Sequence, residues 1–553
     1  MNPATALAAV MVDELVRLGL TDVVLAPGSR SAPLALAVHE QSRLRLHVRI
    51  DERSAAFLAL GMAKRSGRPV AVVCTSGTAA VNFHPAVVEA HESGVPLLVL
   101  TADRPPELRE TGANQTIDQV KLYGSAVRWA FEVGTPEERP GMVAYWRSLV
   151  SRAWHVALDP DPGPVHLNVP FREPLVPDGD ESWCEPLEGD ATGPWTKVRA
   201  ATPGSVLHVP PTRRGVLVVG DGAVNVKRYV AAASMAGWPV LAEPNGNARY
   251  GDHALSAHHF LLGVPEFVER YRPEVVVTLG KPGLSRPLLS FLRRAEEHVV
   301  VTPSLSRWPD PVRSATQVAQ EAEIPVVSGD DAWLKGWRTA DLVARGAVDA
   351  VLDESGELSE PRLARDLVSA MPGGSMLLTA ASMPIRDLDQ TMHPRRGIRI
   401  LANRGASGIG GLVSTAVGAA LAHGNRAYAL LGDLAFLHDQ NGLIIGPQDR
   451  RPDLALVVVN NAGGGIFSLL PQAAFSDSFA RVFGTPHQVD IAWVAAAHGV
   501  PYTRLEAMDG LSKVMAGEGL RIVEARTDRA ANAALHARMR EAAHDAVRAS
   551  LRR

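Results

Sequence analysis

Short apolar runs alternate with helical patterns along the whole chain. In the first third the runs predict strands over 22–25, 44–50, 69–74, 96–101 and 165–169, with helices over 4–18, 53–66 and from about Thr78. In the middle they predict strands over 216–219, 240–241, 275–279 and 299–302. In the last third they predict strands over 376–379, 398–401, 427–431, 454–459 and 521–525, followed by an alanine-rich helix over 529–553 to which we assign no function. This alternation is typical of α/β proteins built on parallel sheets.

A chain of 553 residues is too long for a single hydrophobic core. Residues 175–212 are rich in proline, glycine and acidic residues, which indicates a linker, and a second acidic stretch lies near 352–360. We therefore predict three doubly wound α/β units. They are 1–180, 181–355 with the linker at its start, and 356–553.

The composition excludes several classes of function. A net charge of −3 provides no global field for nucleic acid or an anionic membrane, so an anion site must be a local cluster of cations. No apolar run approaches the roughly 20 residues of a membrane span. Cys74 and Cys184 are the only cysteines, which favours a reducing compartment, and we predict a cytoplasmic protein. No Cys/His cluster has zinc spacing.

Polar residues follow two of the predicted strands in the last unit. Asp433 follows the run 427–431, and Asn461 follows the run 454–459, just before three glycines at 463–465. The carboxyl ends of parallel strands meet at one edge of the sheet, where ligands bind. A carboxylate, an amide oxygen and a carbonyl suit Mg²⁺, which takes its remaining ligands from phosphate oxygens. A similar string at 220–222, with Asn245 and Asn247 after it, lacks the glycines, so we favour the 433/461 pair.

This Gly-Asp and Asn-Asn pair resembles the signature of thiamine-diphosphate enzymes, and the three units resemble their pyruvate-oxidase-like layout. The resemblance implies that a glutamate of the first unit contacts the aminopyrimidine ring. Glu52 fits this role, because it follows the strand 44–50 and begins a helix. Taken alone, Glu52 is better explained as an acidic residue favoured by the dipole at a helix N-terminus, and the 433/461 pair shifts the balance to the catalytic role.

Further strings narrow the resemblance to one family. They are PGSRSAPL at 27–34, TSGTA at 75–79, TADRPPEL at 101–108, GANQT at 112–116, GPVHLNVPFREP at 163–174, NRGASGI at 403–409 and NNAGGGIF at 460–467. Together they resemble the 2-succinyl-5-enolpyruvyl-6-hydroxy-3-cyclohexene-1-carboxylate synthases of menaquinone biosynthesis. The resemblance implies a transferase that decarboxylates 2-oxoglutarate and adds the succinyl-semialdehyde carbanion to isochorismate by 1,4-addition. It also implies a homo-oligomer, at least a dimer.

The resemblance also implies the site residues. The metal, Mg²⁺ or Mn²⁺, would be held by Asp433, Asn461 and the carbonyl of Gly463. Thiamine diphosphate would contact Pro27, Glu52, Thr78, Ser382, Asn403, Ile409, Gly432, Asp433, Leu434, Asn461, Gly463, Gly464 and Ile466, with Glu52 catalytic. The two substrates would contact Ser29, Arg30, Arg104, Asn114, Gln115, Arg286, Arg386, Arg404, Phe467 and Leu470. One departure is Gly410, where the family usually carries aspartate.

Two other functions compete with this interpretation. Another thiamine-diphosphate enzyme, such as an acetolactate synthase or a simple 2-oxoacid decarboxylase, would act on a monoacid and would not need five arginines in its pocket. A non-catalytic α/β binding protein would not need to keep Glu52 together with Asp433 and Asn461. His84 and His487 lie in turn-like strings, and we predict that they form hydrogen bonds and bind no metal.

Overall fold

The computed structural model describes residues 1–180, 182–188, 193–198, 204, 206–327, 331–354 and 356–552. Its contacts divide the chain into two compact units. The first unit joins Met1–Ala201 to Asn403–Gly424 and His438–Asp453, and the second unit joins Thr202–Ala402 to Asn425–Leu437 and Leu454–Arg553. Several residues of the predicted linker, at 181, 189–192, 199–203 and 205, and residue 355 in the second acidic stretch, lie outside the described part.

The first unit holds a six-stranded parallel sheet. Its strands are β1 (Asp22–Leu25), β2 (Arg45–Val48), β3 (Val70–Cys74), β4 (Leu97–Asp103), β5 (Trp129–Glu132) and β6 (Pro164–Pro170), in the order β2-β1-β3-β4-β6-β5. The helices are α1 (Pro3–Leu18), α2 (Ala32–Glu40), α3 (Glu52–Ser66), α4 (Thr78–Asn82), α5 (His84–Ser93) and α6 (Met142–Leu158). β3, β4 and β6 are buried along their whole length, so they lie between covering layers on both faces.

The second unit begins with another parallel sheet. Its part of the chain contains β7 (Leu207–His208), β8 (Gly215–Val219), β9 (Val240–Ala242), β10 (Ala254–Leu255), β11 (Val275–Leu279), β12 (Glu297–Val301), β13 (Gln317–Ala319) and β14 (Ala322–Glu323). β8 to β13 form the sheet in the order β10-β9-β8-β11-β12-β13, and β7 pairs with β14 separately. The helices are α7 (Val226–Met235), α8 (His258–Leu261), α9 (Pro265–Arg270), α10 (Arg286–Leu292) and α11 (Ala332–Glu354).

A third six-stranded parallel sheet also belongs to the second unit. Its strands are β15 (Met376–Thr379), β16 (Arg399–Ala402), β17 (Ala427–Gly432), β18 (Leu454–Asn460), β19 (Tyr502–Leu505) and β20 (Arg521–Arg526), in the order β16-β15-β17-β18-β20-β19. The remaining helices are α12 (Glu360–Ala370), α13 (Met383–Thr391), α14 (Leu412–His423), α15 (Asp433–His438), α16 (Ser476–Phe479), α17 (Ile491–Ala497), α18 (Leu511–Met515) and α19 (Arg529–Leu551). Three parallel sheets with covering helices confirm the predicted α/β class.

The C-terminal helix α19 is part of the second unit's core. Met539, Ala543 and Val547 are buried at helical spacing, in one cluster with Trp337 and Ala344 of α11. The predicted alanine-rich helix is therefore confirmed, and one of its faces packs against a neighbouring helix. In the described part of the chain no helix is both long and apolar enough to span a membrane.

Candidate active site

The Gly-Asp and Asn-Asn strings converge at the carboxyl edge of the third sheet. β17 pairs with β18, and Asp433 directly follows β17 as the first residue of α15. The Asp433 side chain is 2% exposed, and its Oδ1 accepts a hydrogen bond from the Leu434 amide at 2.7 Å. Its Oδ2 accepts one from the Gly463 amide at 2.8 Å. Parallel pairing of adjacent strands thus brings the two strings into direct contact.

Asn460 and Asn461 have different surroundings. Asn460 Nδ2 donates to Glu524 on the adjacent strand β20, and its Oδ1 accepts from the Ala462 amide, so it shapes the turn. Asn461 is 9% exposed, and its Nδ2 donates to Glu360 Oε1 at 2.9 Å. Its Oδ1 is buried without a hydrogen-bond partner. A buried acceptor with no partner is unfavourable by itself and suits a ligand that supplies positive charge.

The turn at 463–465 requires glycine. Gly463 has a φ of +145°, and a Cβ there would come closer than 3.0 Å to the Gly484 carbonyl oxygen. A Cβ at Gly464 would also come closer than 3.0 Å to a carbonyl oxygen, that of Phe483. The two backbone segments, 463–464 and 483–484, are therefore closer together than a side chain on either glycine would allow. The amides of Gly463, Gly464 and Gly465 donate to Asp433, Gly484 and Gly463 respectively, so what the glycines supply is this close approach of the backbone.

The apolar residues after the glycines form a short 3₁₀ helix over Gly465–Leu469. Ile466, Phe467 and Leu470 are half-buried. The Phe467 ring lies 5.6 Å from the ring of Phe483, centroid to centroid. These side chains give one side of the glycine turn an apolar surface.

His487 also lies at this edge, a position that the sequence did not reveal. Its Nε2 is 3.1 Å from Asp433 Oδ2, in agreement with the predicted hydrogen-bonding role. Burial raises the pKa of Asp433, although the bonds from the Leu434 and Gly463 amides and from His487 oppose the rise. The spacing between positions 433 and 487 follows no local period, so only the fold could reveal the pair.

A divalent cation with a diphosphate fits this set of groups. The described residues contain no group of three or more His, Cys, Asp or Glu side chains that could hold a metal by themselves. One carboxylate, one unpaired amide oxygen and a backbone carbonyl of the glycine turn are too few ligands unless phosphate oxygens complete the shell. Mg²⁺ binds in this way to few protein groups plus substrate phosphates.

The similar string at 220–222 has a different environment. Asp221 Oδ1 accepts a hydrogen bond from Asn245 Nδ2 at 2.8 Å. Asn247 exchanges hydrogen bonds with the backbone of Ile400, because its Nδ2 donates to the carbonyl and its Oδ1 accepts from the amide. These contacts give Asp221 and Asn247 structural roles; Asn245 Oδ1 is buried without a hydrogen-bond partner, but no run of glycines adjoins it.

In the first unit, Glu52 is the first residue of α3. Asp51 caps the helix, since its Oδ1 accepts from the amides of Arg53 and Ser54. Glu52 is half-buried and close to the end of β3, where its charge adds to burial in raising the pKa of the Cys74 thiol. Cys74 itself is buried.

Two glycines allow the backbones of α3 and α14 to come into direct contact. A Cβ on Gly61 of α3 would meet the Thr415 carbonyl oxygen, and a Cβ on Gly418 of α14 would meet the Leu58 carbonyl oxygen. Ten consecutive residues of each helix, Ser54–Ala63 and Leu412–Leu421, are buried. The two backbones therefore touch, and this contact sets the position of the helix that begins at Glu52.

The segment before α14 is held by a buried carboxylate. Glu89 of α5 accepts hydrogen bonds from the amides of Gly405 and Ala406 at 2.8 and 2.7 Å. Burial alone would raise the pKa of Glu89, but the charge of Lys64 and the hydrogen bonds outweigh it, so the pKa is lowered. The adjoining Arg404 is half-buried.

Asn403 and Ile409 lie at the two ends of this held segment. Asn403 Nδ2 donates to Thr415 Oγ1, and its buried Oδ1 has no hydrogen-bond partner. Ile409 is 37% exposed. Both positions leave a group open to a ligand.

Gly410, the departure from the family pattern, lies against a histidine. A Cβ at Gly410 would be 3.1 Å from His438 Cε1. The His438 carbonyl accepts a hydrogen bond from Arg53 Nη2 at 2.7 Å. The absence of a side chain at 410 leaves room for the His438 ring.

Some predicted substrate residues of the first unit come together at the carboxyl edge of its sheet. Arg104 Nη1 donates to Ser76 Oγ at 2.8 Å, and Gln115 Nε2 donates to the Ser76 carbonyl at 2.9 Å. Arg30 is buried, and its burial and the charge of Arg104 lower its pKa. Two cations that disfavour each other in this way suit an anionic ligand. Pro27, Ser29, Thr78 and Asn114 are exposed near these groups along the chain.

The other predicted residues lie in the second unit. Arg386 Nη1 donates to the Ala381 and Ser382 carbonyls at 3.0 and 2.8 Å, and Ser382 is half-buried. Arg286 is exposed at the start of α10. Leu284, two residues before it, packs with Ile385 in a small cluster, so the chain positions of the two arginines are near each other.

The comparison with known proteins defines the class first. A family model described as "Thiamine pyrophosphate enzyme, N-terminal TPP binding domain" matches residues 5–122. A second, described as "Thiamine pyrophosphate enzyme, C-terminal TPP binding domain", matches residues 384–525. These matches contain Glu52 and the Asp433–Gly463 edge respectively, and they define a thiamine pyrophosphate enzyme.

Individual relatives define the family within this class. The chain is 59% identical to the 2-succinyl-5-enolpyruvyl-6-hydroxy-3-cyclohexene-1-carboxylate synthase of Thermobifida fusca, over 99% of this chain and 100% of that protein. It is 50% identical to the synthase of the same name from Saccharopolyspora erythraea over 100% of both chains, and 39% identical to that of Geobacillus kaustophilus over 96% of both. The chain belongs to the 2-succinyl-5-enolpyruvyl-6-hydroxy-3-cyclohexene-1-carboxylate synthase family, which confirms the resemblance found in its sequence.

Proposed function

We propose that this enzyme decarboxylates 2-oxoglutarate and joins the remaining four-carbon unit to isochorismate, in menaquinone biosynthesis. The observation that carries the proposal is the full-length identity to synthases whose name states this product. The contact between Asp433 and the Gly463 amide supports it, because this contact gathers the groups that a diphosphate and its metal require.

We propose that Asp433, Asn461 and the Gly463 carbonyl hold Mg²⁺ or Mn²⁺. The other proposed cofactor contacts remain those that the resemblance implies. When bound, thiamine diphosphate supplies a carbon nucleophile that can take up an acyl group. Glu52 would hold a proton at the pyrimidine ring, and exposed Ile409 would contact the bound cofactor.

We assign the binding of the substrates' carboxylates to arginines. 2-Oxoglutarate and isochorismate each carry two carboxylates, and guanidinium groups stay charged and bind carboxylates with two hydrogen bonds. The proposed set is Arg30, Arg104, Arg286, Arg386 and Arg404, with Ser29, Asn114 and Gln115 as neutral partners. The half-buried Ile466, Phe467 and Leu470 would exclude water from the site. Water is the proton source that would otherwise compete with isochorismate for the four-carbon unit.

The assembly and location are proposals as well. By analogy with the family, the first module of one chain and the third module of its partner enclose the cofactor, so we propose at least a dimer. The three separate parallel sheets support three modules, with boundaries near 180 and 355. Cys74 and Cys184 are both free, which agrees with a reducing compartment such as the cytoplasm.

A coupled assay tests the function. Purified protein is incubated with thiamine diphosphate, Mg²⁺ and 2-oxoglutarate, with and without isochorismate, and the product is followed by mass. We expect carbon dioxide release and an adduct that requires both substrates. Pyruvate in place of 2-oxoglutarate is the control. Faster turnover with pyruvate would indicate a monoacid enzyme, and no cofactor-dependent carbon dioxide release would refute catalysis.

A further inference from the structure

A buried glutamate contacts the proposed metal ligand Asn461. Glu360 is the first residue of α12 and is 3% exposed. Its Oε1 accepts two hydrogen bonds, from Asn461 Nδ2 at 2.9 Å and from Thr527 Oγ1 at 3.0 Å. Glu360 and Asn461 are 101 residues apart in the chain, so the tertiary fold alone brings them together.

This contact determines which way the asparagine amide points. An amide has a donor end and an acceptor end, and rotation by half a turn exchanges them. Glu360 Oε1 is an acceptor, so it selects the orientation with Nδ2 towards it and Oδ1 away. In the reverse orientation two oxygens would face each other and the Asn461 amide nitrogen would lose its acceptor. The second bond, from Thr527, goes to the same glutamate oxygen and does not involve the asparagine amide.

The selected orientation leaves the acceptor end available. Asn461 Oδ1 is buried and has no hydrogen-bond partner. The next residues lead into the turn whose Gly463 amide bonds to Asp433. The unpaired oxygen therefore belongs to the same edge as the carboxylate proposed to bind the metal.

We propose that Glu360 is a positioning residue for the divalent cation, because it holds the Asn461 amide with its oxygen free to bind the metal. The inference rests on the proposed cofactor site. Glu360 itself does not contact the metal; it acts by removing the alternative orientation of a ligand before the metal arrives. Partners of metal ligands commonly change metal affinity about 10- to 100-fold when they are removed.

The test measures Mg²⁺ affinity directly. Wild-type protein and three variants, Glu360→Met, Glu360→Gln and Thr527→Val, are stripped of metal and loaded with thiamine diphosphate. Each is titrated with Mg²⁺ by calorimetry and by tryptophan fluorescence. We expect Glu360→Met to weaken Mg²⁺ binding about 10- to 100-fold. Glu360→Gln keeps a carbonyl acceptor for Asn461 and should stay within about threefold of wild type.

Thr527→Val is the matched control, because it removes the other hydrogen bond to Glu360 Oε1 and leaves the one from Asn461 in place. It should also stay within about threefold of wild type. At saturating Mg²⁺ we expect Glu360→Met to regain most of its turnover, whereas general damage to the fold would lower turnover at every Mg²⁺ concentration. Circular dichroism and the thermal midpoint of the metal-free variants check the fold. Glu360→Ala repeats the test if the methionine variant does not fold.

The outcomes separate the two proposals. If wild-type protein takes up no Mg²⁺ in the presence of thiamine diphosphate, the proposed cofactor site is wrong and the positioning role is wrong with it. If wild type binds Mg²⁺ and Glu360→Met binds it as tightly, the positioning role alone is refuted. Equal weakening in Glu360→Met and Thr527→Val would also refute it, because the Asn461 contact would then not be the cause.

Discussion

The contact between α3 and α14 leads to a prediction with an internal control. A Cβ added to Gly61 would lie 2.1 Å from the Thr415 carbonyl oxygen, and one added to Gly418 would lie 2.1 Å from the Leu58 carbonyl oxygen. Ordinary van der Waals contact of a Cβ begins at 3.4 Å. Neither oxygen can rotate away, because both belong to helix backbone. The helices would therefore have to separate by about 1 Å, within an interior that is closely packed.

The steric cost of the added Cβ and the higher helix propensity of alanine act in opposite directions, and we expect the steric cost to be the larger. Overpacking of this kind costs about 1–3 kcal/mol or more, while alanine in place of glycine favours a helix by about 1 kcal/mol. We expect Gly61→Ala and Gly418→Ala each to destabilise the protein by up to about 2 kcal/mol. Gly346 of α11 is the control, because it is exposed and a Cβ there would meet nothing within 4 Å. Gly346→Ala should stabilise by about 0.5–1 kcal/mol.

The assay is thermal unfolding at one protein concentration, followed by circular dichroism, with turnover of 2-oxoglutarate measured alongside. The midpoint should fall for the two contact variants and rise slightly for Gly346→Ala. Turnover should fall with Gly61→Ala, because α3 begins at Glu52 and moves as a unit. If Gly418→Ala unfolds at the same temperature as Gly346→Ala, the backbone contact does not determine the position of α3 and the reasoning is wrong.

Three further predictions concern single side chains. Glu52→Gln should lower turnover about 10²–10⁴-fold with the thermal midpoint nearly unchanged, and unchanged turnover would exclude the proposed role. Glu89→Gln should raise the KM for 2-oxoglutarate several-fold. It removes the negative charge that strengthens the hydrogen bonds from the Gly405 and Ala406 amides, next to the proposed substrate residue Arg404. An unchanged KM would count against this role. Burial lowers the pKa of His166 from 6.5 to about 4, so its stabilising contribution is full above pH 6.5 and declines as the pH falls towards 4. The thermal midpoint should therefore fall further between pH 7 and 5 in wild type than in His166→Gln, and equal falls would refute this.

The central strands could be predicted because a strand that is buried on both faces consists of consecutive apolar residues. β3, β8, β11, β15 and β17 lie inside their sheets, and each was predicted to within a residue or two at its ends. β5, β10, β13 and β19 were not among the predicted strands, and all four are edge strands, whereas the other two edge strands of the six-stranded sheets, β2 and β16, were predicted. β5 is half-buried throughout and β19 is partly exposed, so neither carries an uninterrupted apolar run. An edge strand depends on a neighbour for its hydrogen bonds, and its own residues do not specify that neighbour.

The candidate site also has some features that the sequence predicts and others that only the fold reveals. The sequence alone determined that Asp433, Asn461 and the glycines near them follow buried strands, because strand periodicity and backbone freedom are local properties. Tertiary structure alone decided that Gly61 faces a carbonyl of α14, that His487 reaches Asp433, and that Glu360 orients Asn461. These contacts join residues far apart in the chain, and the packing of sheets and helices, rather than any pattern within a segment, brings them together. Before the fold is known, an acid such as Glu360 at the start of a helix cannot be distinguished from any other residue favoured by the helix dipole.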